Sequence, residues 1–463
     1  MKIIKTPIIP IVQTFINVKD QPHELDYKAI SVFSALGFFL DTDTYWKDKK
    51  VLPPASINKI DDAGYLISSK PWFKWYYKPK QINLNEATTN FGELFEEIVK
   101  EQCKDKKVIL PISGGLDSRS QAVALHKLGV AVKSYSYSFE NGYNEAEISK
   151  KIAKKCDFPF QEFTVSKSYL WNKINELATI NKCYSEFTHP RQMAVIDDIE
   201  KLGDVFSLGH WGDVLFDSEN LQQNYSDKEI LPLIKKKVIK KGGLELATSL
   251  WKNWKLEGEF EDYLDRRILS LLSRINIVNS NAKIRAFKSM HWAPRWTSIN
   301  LSVFARNKKI YLPYYDDRMC QFICEVPESL LNNRQIQIEY IKRNNPSVAK
   351  IVWQDAKPFH LFNHHLAKTH LRLPYRIIDK LKREFENFQG KKFVQRNWEL
   401  QFLGIENKKR LNSHFKTDSF NKEVDKELVK KTMNLFYDNN SVYYSHALSM
   451  LLTMGMFLNS KKL

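Results

Sequence analysis

Cysteine is scarce in this chain. Cys103, Cys156, Cys183, Cys320 and Cys324 are an odd set without a framework spacing, which excludes a disulfide-stapled scaffold. Cys320 and Cys324 are placed i and i+4 on an expected helix, but no histidine lies near enough in sequence to complete a tetrahedral zinc set. All five read as reduced thiols. Long apolar runs are missing too: the longest stretches, such as Ala447 to Leu458, are too short and interrupted to span a bilayer. Pro7 and Pro10 break up the first fifteen residues and no small-residue cleavage site follows, so no secretion signal is expected and the cytoplasm is the expected compartment. Internal repeats, low-complexity segments and the Walker spacing G-x-x-x-x-G-K-[ST] are absent as well.

What remains is an ordinary globular mixture, 43% apolar and 27% charged over 463 residues, enough for two or three domains and at least one large core. A formal charge of +18 favours polyanionic company such as nucleotides, phosphorylated substrates, nucleic acid or acidic membrane surfaces, without choosing among them.

The most informative stretch is Val108 to Arg119. Four apolar residues broken by Pro111 predict a short buried strand, and Ser113-Gly114-Gly115 lets the backbone turn sharply. Leu116, Ala122, Val123, Leu125 and Leu128 then recur at helical spacing. A helix starting beside the turn aims its unpaired N–H groups and positive dipole end into the loop, which suits phosphate. Asp117 would repel a bare phosphate, so a divalent cation bridging carboxylate and phosphate is expected.

Further along, Lys133 to Phe139 and Phe160 to Val165 read as strands, with a helix over Glu145 to Lys155 between them and one over Asn85 to Lys100 before them. Strand and helix alternating at this spacing predict a parallel sheet with right-handed crossovers, whose ligands lie beyond the carboxyl ends of the strands. The first 80 residues read mostly as strands, with Ala35 to Leu40 as a buried-strand run and Ser56 to Ile60 and Tyr65 to Ile67 as a hairpin. Helices are expected over Leu231 to Lys241, Glu261 to Asn276 and Glu339 to Asn345, and an amphipathic one over 440 to 458. Arg372, Arg376, Lys380, Lys382 and Arg383 form a basic run that reads as a solvated face, since no nucleic-acid module accompanies it. His360, His364, His365 and His370 have no acid or cysteine nearby to complete a metal set.

Ser113-Gly114-Gly115-Leu116-Asp117-Ser118 resembles the SGGxDS loop of ATP pyrophosphatases, in the form found in asparagine synthetases. Three further stretches are similar to that family in the same order. Ser207 to Phe216 resembles its second loop, S-G-(E/D)-G-x-D-E-(L/V)-F, with Gly209, Asp213, Leu215 and Phe216 matching. Ile310 to Asp317 resembles E-x-R-x-P-F-L-D at Pro313 and Asp316, and Ile351 to Phe359 resembles the (R/Q)-P-K-x-G-F region. The resemblance implies an α/β fold with a parallel-sheet ATP pyrophosphatase domain and extensive C-terminal helices over 85–463. A small β-rich remnant of a glutaminase-like module, over 1–84, would precede it.

The resemblance also implies ATP and Mg2+ as cofactors. Ser113, Gly114, Gly115, Leu116, Asp117 and Ser118 would hold the pyrophosphate, the backbone around Leu110 and Ser136 the adenine, Asp117 and Asp213 the magnesium, and Lys357 the charge that develops as pyrophosphate leaves. Glu145 resembles an acid that follows the second strand.

Departures from the pattern narrow the expectation. His210 replaces the first acid of the second loop and can also accept a proton near neutral pH. Trp211 replaces a glycine and Val214 a glutamate. Lys309 and Tyr311 stand where the family carries the acid and arginine of its aspartate pocket, which argues against aspartate as acceptor. Met1 is followed by Lys2, not by the nucleophilic cysteine of a glutaminase, so ammonia is expected from elsewhere.

The function expected is carboxylate activation by ATP, forming AMP and pyrophosphate, followed by amide bond formation with an amine or ammonia. The carboxylate is a small molecule or a peptide, a separate protein could deliver substrate or ammonia, and nucleic acid is not an expected partner. Two alternatives stand beside it. A scaffold that binds nucleotide without turnover is supported by Trp211, Val214, Lys309 and Tyr311. An RNA-modifying relative is supported by the charge, and predicts co-purifying RNA with steep salt dependence.

Overall fold

The computed structural model describes residues 1–143, 146–388 and 393–460, so the expectation for Glu145 lies outside the described residues. The strands are β1 (Lys2–Lys5), β2 (Phe15–Asn17), β3 (Lys49–Val51), β4 (Ser56–Ile60), β5 (Leu66–Pro71), β6 (Val108–Pro111), β7 (Val132–Phe139), β8 (Phe160–Val165), β9 (Val205–Ser207) and β10 (Lys309–Tyr311). Five of them form one sheet in the order β10-β9-β6-β7-β8, and each neighbouring pair runs parallel. Helices α2 (Leu84–Cys103), α3 (Asp117–Lys127) and α4 (Ala146–Lys155) supply the connections expected from the sequence.

The order of the strands places the loops. β6 lies between β7 and β9, so the turn after β6 and the turn after β9 emerge side by side at the carboxyl ends. The two loops singled out in the sequence leave from those ends.

The first 80 residues depart from expectation at one point. Ala35 and Leu36 close a helix, α1 (Tyr27–Leu36), and no strand covers Ala35 to Leu40. Asp26 caps the helix by accepting from Ala29 N, and Gly37 ends it in the left-handed region at φ 78° with its N–H on Phe33 O. A continuous apolar run carries no period, and this one is buried throughout, so its sequence did not separate helix from strand. The hairpin is present: β4 pairs antiparallel with β5, and β1 adds to the other side of β4.

One core cluster runs from Ile8 to Phe457 and takes in residues of the N-terminal layer, the sheet and the C-terminal helices. The helix Ser441–Asn459 is buried at every position from Ala447 to Phe457, so it is not the amphipathic element its sequence suggested. Its cover comes from the opening segment: Tyr45 stacks on Phe457 with ring centroids 3.6 Å apart, and Ser34 Oγ donates to Met454 Sδ at 3.8 Å. All five cysteines are buried and unpaired. Burial pushes the thiols of Cys103 and Cys324 up to about 11 and that of Cys156 to about 12. No helix among the described residues is long and apolar enough to cross a membrane.

Candidate functional site

A cleft of about 650 Å³ opens at the carboxyl ends of β6, β7 and β9. The loop Ser113 to Ser118 forms one wall, Gly209 to Val214 the facing wall, and Tyr135 to Tyr137 part of the floor. The structure therefore brings Ser113, Gly114, Gly115, Leu116, Asp117, Ser118, Ser136, His210 and Asp213 into one concavity. Leu110 lies fully buried inside β6, and Pro111 occupies the cleft edge after it.

The loop is shaped by its own serines. Ser118 Oγ accepts from Ser113 N at 3.0 Å and lies 3.1 Å from Ser113 Oγ, which accepts from Gly115 N at 3.3 Å. Both hydroxyls are thus engaged in holding the turn, and the start of α3 faces the cleft. Arg119, 0% exposed, fastens this turn to a distant segment: its guanidinium donates to Gly114 O at 3.2 Å, Ile351 O at 3.0 Å and Val352 O at 2.9 Å. Burial without a carboxylate partner pulls its ionisation down to about 10.

Asp117 stands at the join of the two loops. Its carboxylate accepts from Asp213 N at 3.2 Å, from Gln337 Nε2 at 3.0 Å and from the guanidinium of Arg334 in an ion pair. Burial raises its carboxyl to about 6, against the pull of Arg334 and with a push from the Asp213 charge. Gly212 is required by close approach, since a Cβ there would collide with Asp117 Oδ1.

Asp117 and Asp213, both lining the cleft, are the residues that would hold a magnesium ion carried in with a nucleotide. Mg2+ typically takes one or two carboxylates and completes its octahedron with phosphate and water oxygens. Among the described residues there is no group of three or more His, Cys, Asp or Glu that could hold a metal ion. Arg334 is the cation already beside Asp117.

His210 also lines the cleft, with Nδ1 buried and without a hydrogen-bond partner. Burial lowers its ionisation to about 4, the nearby Asp213 opposing and Arg191 reinforcing the shift, so the ring is neutral at pH 7. Trp211 beside it has φ 80°, a conformation that favours glycine, and donates from Nε1 to Ser289 Oγ at 3.1 Å.

The fourth stretch sits differently from the sequence expectation. Gln354 and Asp355 line the cleft, and Gln354 N donates to Gly114 O at 3.2 Å. Lys357 is half-buried outside that lining, and its carbonyl accepts from Arg372 Nε at 3.0 Å. Lys309 and Tyr311 are turned away from the cleft: Lys309 Nζ lies 5.0 Å over the Tyr311 ring, and Tyr311 Oη accepts from Lys106 at 2.8 Å. His364 Nδ1 lies 2.8 Å from Leu361 O, within its own turn.

Arg334, Gln337, Arg191, Trp292 and Trp296 belong to no stretch singled out in the sequence. Arg334 and Gln337 stand at the start of a helix distant in sequence from both loops, and no local pattern links them to Asp117. The only signal for the tryptophans is their i, i+4 spacing beside Pro294.

Residues 90–410 match the asparagine synthase family model. The chain belongs to the asparagine synthase family. Enzymes of this family use ATP, typically with Mg2+, and the membership supports an amide-forming ligase in general. No curated protein matches the chain. Among solved structures, an NMN synthetase from Francisella tularensis is similar at 12% identity and a TM-score of 0.23, over 45% of this chain and 93% of that one.

Proposed function

We propose that the chain is an ATP-dependent ligase that activates a carboxylate as its acyl-adenylate, releases pyrophosphate, and passes the acyl group to an amine or ammonia. One observation carries the reading: Asp117 and Asp213, from two different strand ends, meet at the mouth of a serine-shaped loop on a helix N-terminus. Asp117 and Asp213 would hold the magnesium, which supplies charge neutralisation on the phosphates.

The loop N–H groups and Arg334 bind the β- and γ-phosphates and oppose the charge that builds as the bond between the α-phosphorus and the bridging oxygen breaks. The attacking carboxylate oxygen forms the mixed anhydride on the α-phosphorus. The amine then attacks the acyl carbon, AMP leaves, and the proton lost from nitrogen passes to neutral His210. Arg334 takes over, in this reading, the phosphate-facing role that sequence order suggested for Lys357. The requirement for ATP supports a cytoplasmic location.

The test is carboxylate-dependent exchange of labelled pyrophosphate into ATP, together with formation of AMP. Asp117→Ala is expected to abolish both while the chain stays folded. Exchange that survives Asp117→Ala overturns the assignment. Turnover to AMP by the unaltered chain excludes a scaffold that only binds nucleotide.

A further inference from the structure

Beyond the phosphate side, the cleft has a second wall that the ATP chemistry leaves unused. It is built on a π-helix, Lys288–Thr297, whose wider turn brings Trp292 and Trp296 to one side. Their ring centroids are 5.9 Å apart and nearly edge-on, and Trp211 meets Trp292 at 6.1 Å and 87°. All three indoles line the cleft, each partly or largely withdrawn from water. Trp292 Nε1 is buried without a hydrogen-bond partner, a polar atom left for something else to satisfy.

Across from the indoles stands Arg191. Its Nε donates to Tyr137 Oη, and its guanidinium lies 5.4 Å over the Tyr137 ring and 5.9 Å over Phe139. It pairs with no carboxylate among the described residues, whereas Lys288 on the same cleft is beside Glu219 at 3.6 Å and Arg334 is held by Asp117. A guanidinium fixed by aromatic faces, with most of its fork uncommitted, is a ready partner for a carboxylate. Arg191 and His210 line the same cleft, so an acid held by Arg191 shares it with the group proposed to take the proton of acyl transfer.

We propose that Arg191, Trp292 and Trp296 form the acyl-substrate pocket, and that it selects a carboxylic acid carried on an aromatic or broad apolar body over a small dicarboxylic acid. The inference rests on the ligase reading for the role of the acid, but not for its binding. Indole faces contribute through burial of apolar surface and offset ring contacts, which a small charged acid does not offer. Such an acid would lose water against the same faces and gain only the one guanidinium.

Calorimetric titrations with indole-3-propionate, 3-phenylpropionate, succinate and aspartate test this, each with and without Mg2+ and α,β-methylene-ATP. The aromatic acids are expected to bind at least ~10-fold more tightly than succinate or aspartate. Trp296→Ala should remove most of that advantage and Arg191→Gln should weaken binding of all four acids, both leaving affinity for the nucleotide analogue unchanged, and Trp296→Phe should retain the advantage. Equal affinity for succinate, or aromatic acids that fail to bind a chain that still binds the analogue, overturns the pocket. If the analogue fails to bind while the aromatic acids do, the ligase reading falls and the pocket stands.

Discussion

Asp117 is held by three donors, one of them the buried cation Arg334, yet its carboxyl is raised to about 6 because burial outweighs them. The consequence for activity has a definite sign. As pH falls through about 6, Asp117 gains a proton and loses its hold on a cation, so magnesium-dependent pyrophosphate exchange should decline on that limb. A profile flat from pH 7.5 to 5 would contradict it. Asp213→Asn should lower exchange by ~100-fold or more, since it removes one of the two carboxylates that would hold the magnesium on the phosphates. Trp211 makes a separate prediction. A non-glycine residue in the left-handed region costs ~1–2 kcal/mol, so Trp211→Gly should relax the backbone while losing indole packing and the bond to Ser289. A Tm change smaller than for Trp292→Ala is expected by scanning calorimetry.

At the scale of elements, the phosphate loop and the segment Ile351 to Gln354 act as one unit because Arg119 bonds to both. Hydrogen bonds from a charged group are worth ~1.5–3 kcal/mol each. Arg119→Met should therefore raise the KM for ATP and lower stability by ~3 kcal/mol or more, read by urea unfolding and by exchange at graded ATP. The sequence revealed the loop, the flanking strands and both acids because each lies in a short local pattern: a glycine turn, an apolar run, a helical period. It concealed what depends on meeting in space. Arg334 reaches Asp117 across 217 positions, and Gln354 lies in the cleft where Lys357 was expected, because the chain turns between them. The misread run at Ala35 to Leu40 has the same origin, since total burial erases the period that distinguishes helix from strand.

The whole molecule has a pH response of its own. Burial lowers His210 and His291 to about 4 and His446 to about 3, against an ordinary value near 6.5. Between those values the unfolded chain binds more protons than the folded one, so stability falls as pH drops below about 6.5. Asp117, Asp217 and Asp317, whose carboxyls burial raises, work in the opposite direction, while His189 adds to the decline with a value lowered to about 3. Tm should decline from pH 7 to 5, and His446→Asn should flatten that decline. Residues 1–84 belong to this same structure through the shared core, so deleting them should leave an unstable, aggregation-prone remainder, visible by size exclusion. The buried C-terminal helix sets a timetable as well. Ser34 waits for Met454, 420 positions later, which at ~5–20 residues per second is ~20–80 s of synthesis. For that interval the side of the opening layer that receives the last helix, at Ser34 and Tyr45, lacks its cover, and a chaperone that shelters it during translation should raise the yield of folded protein.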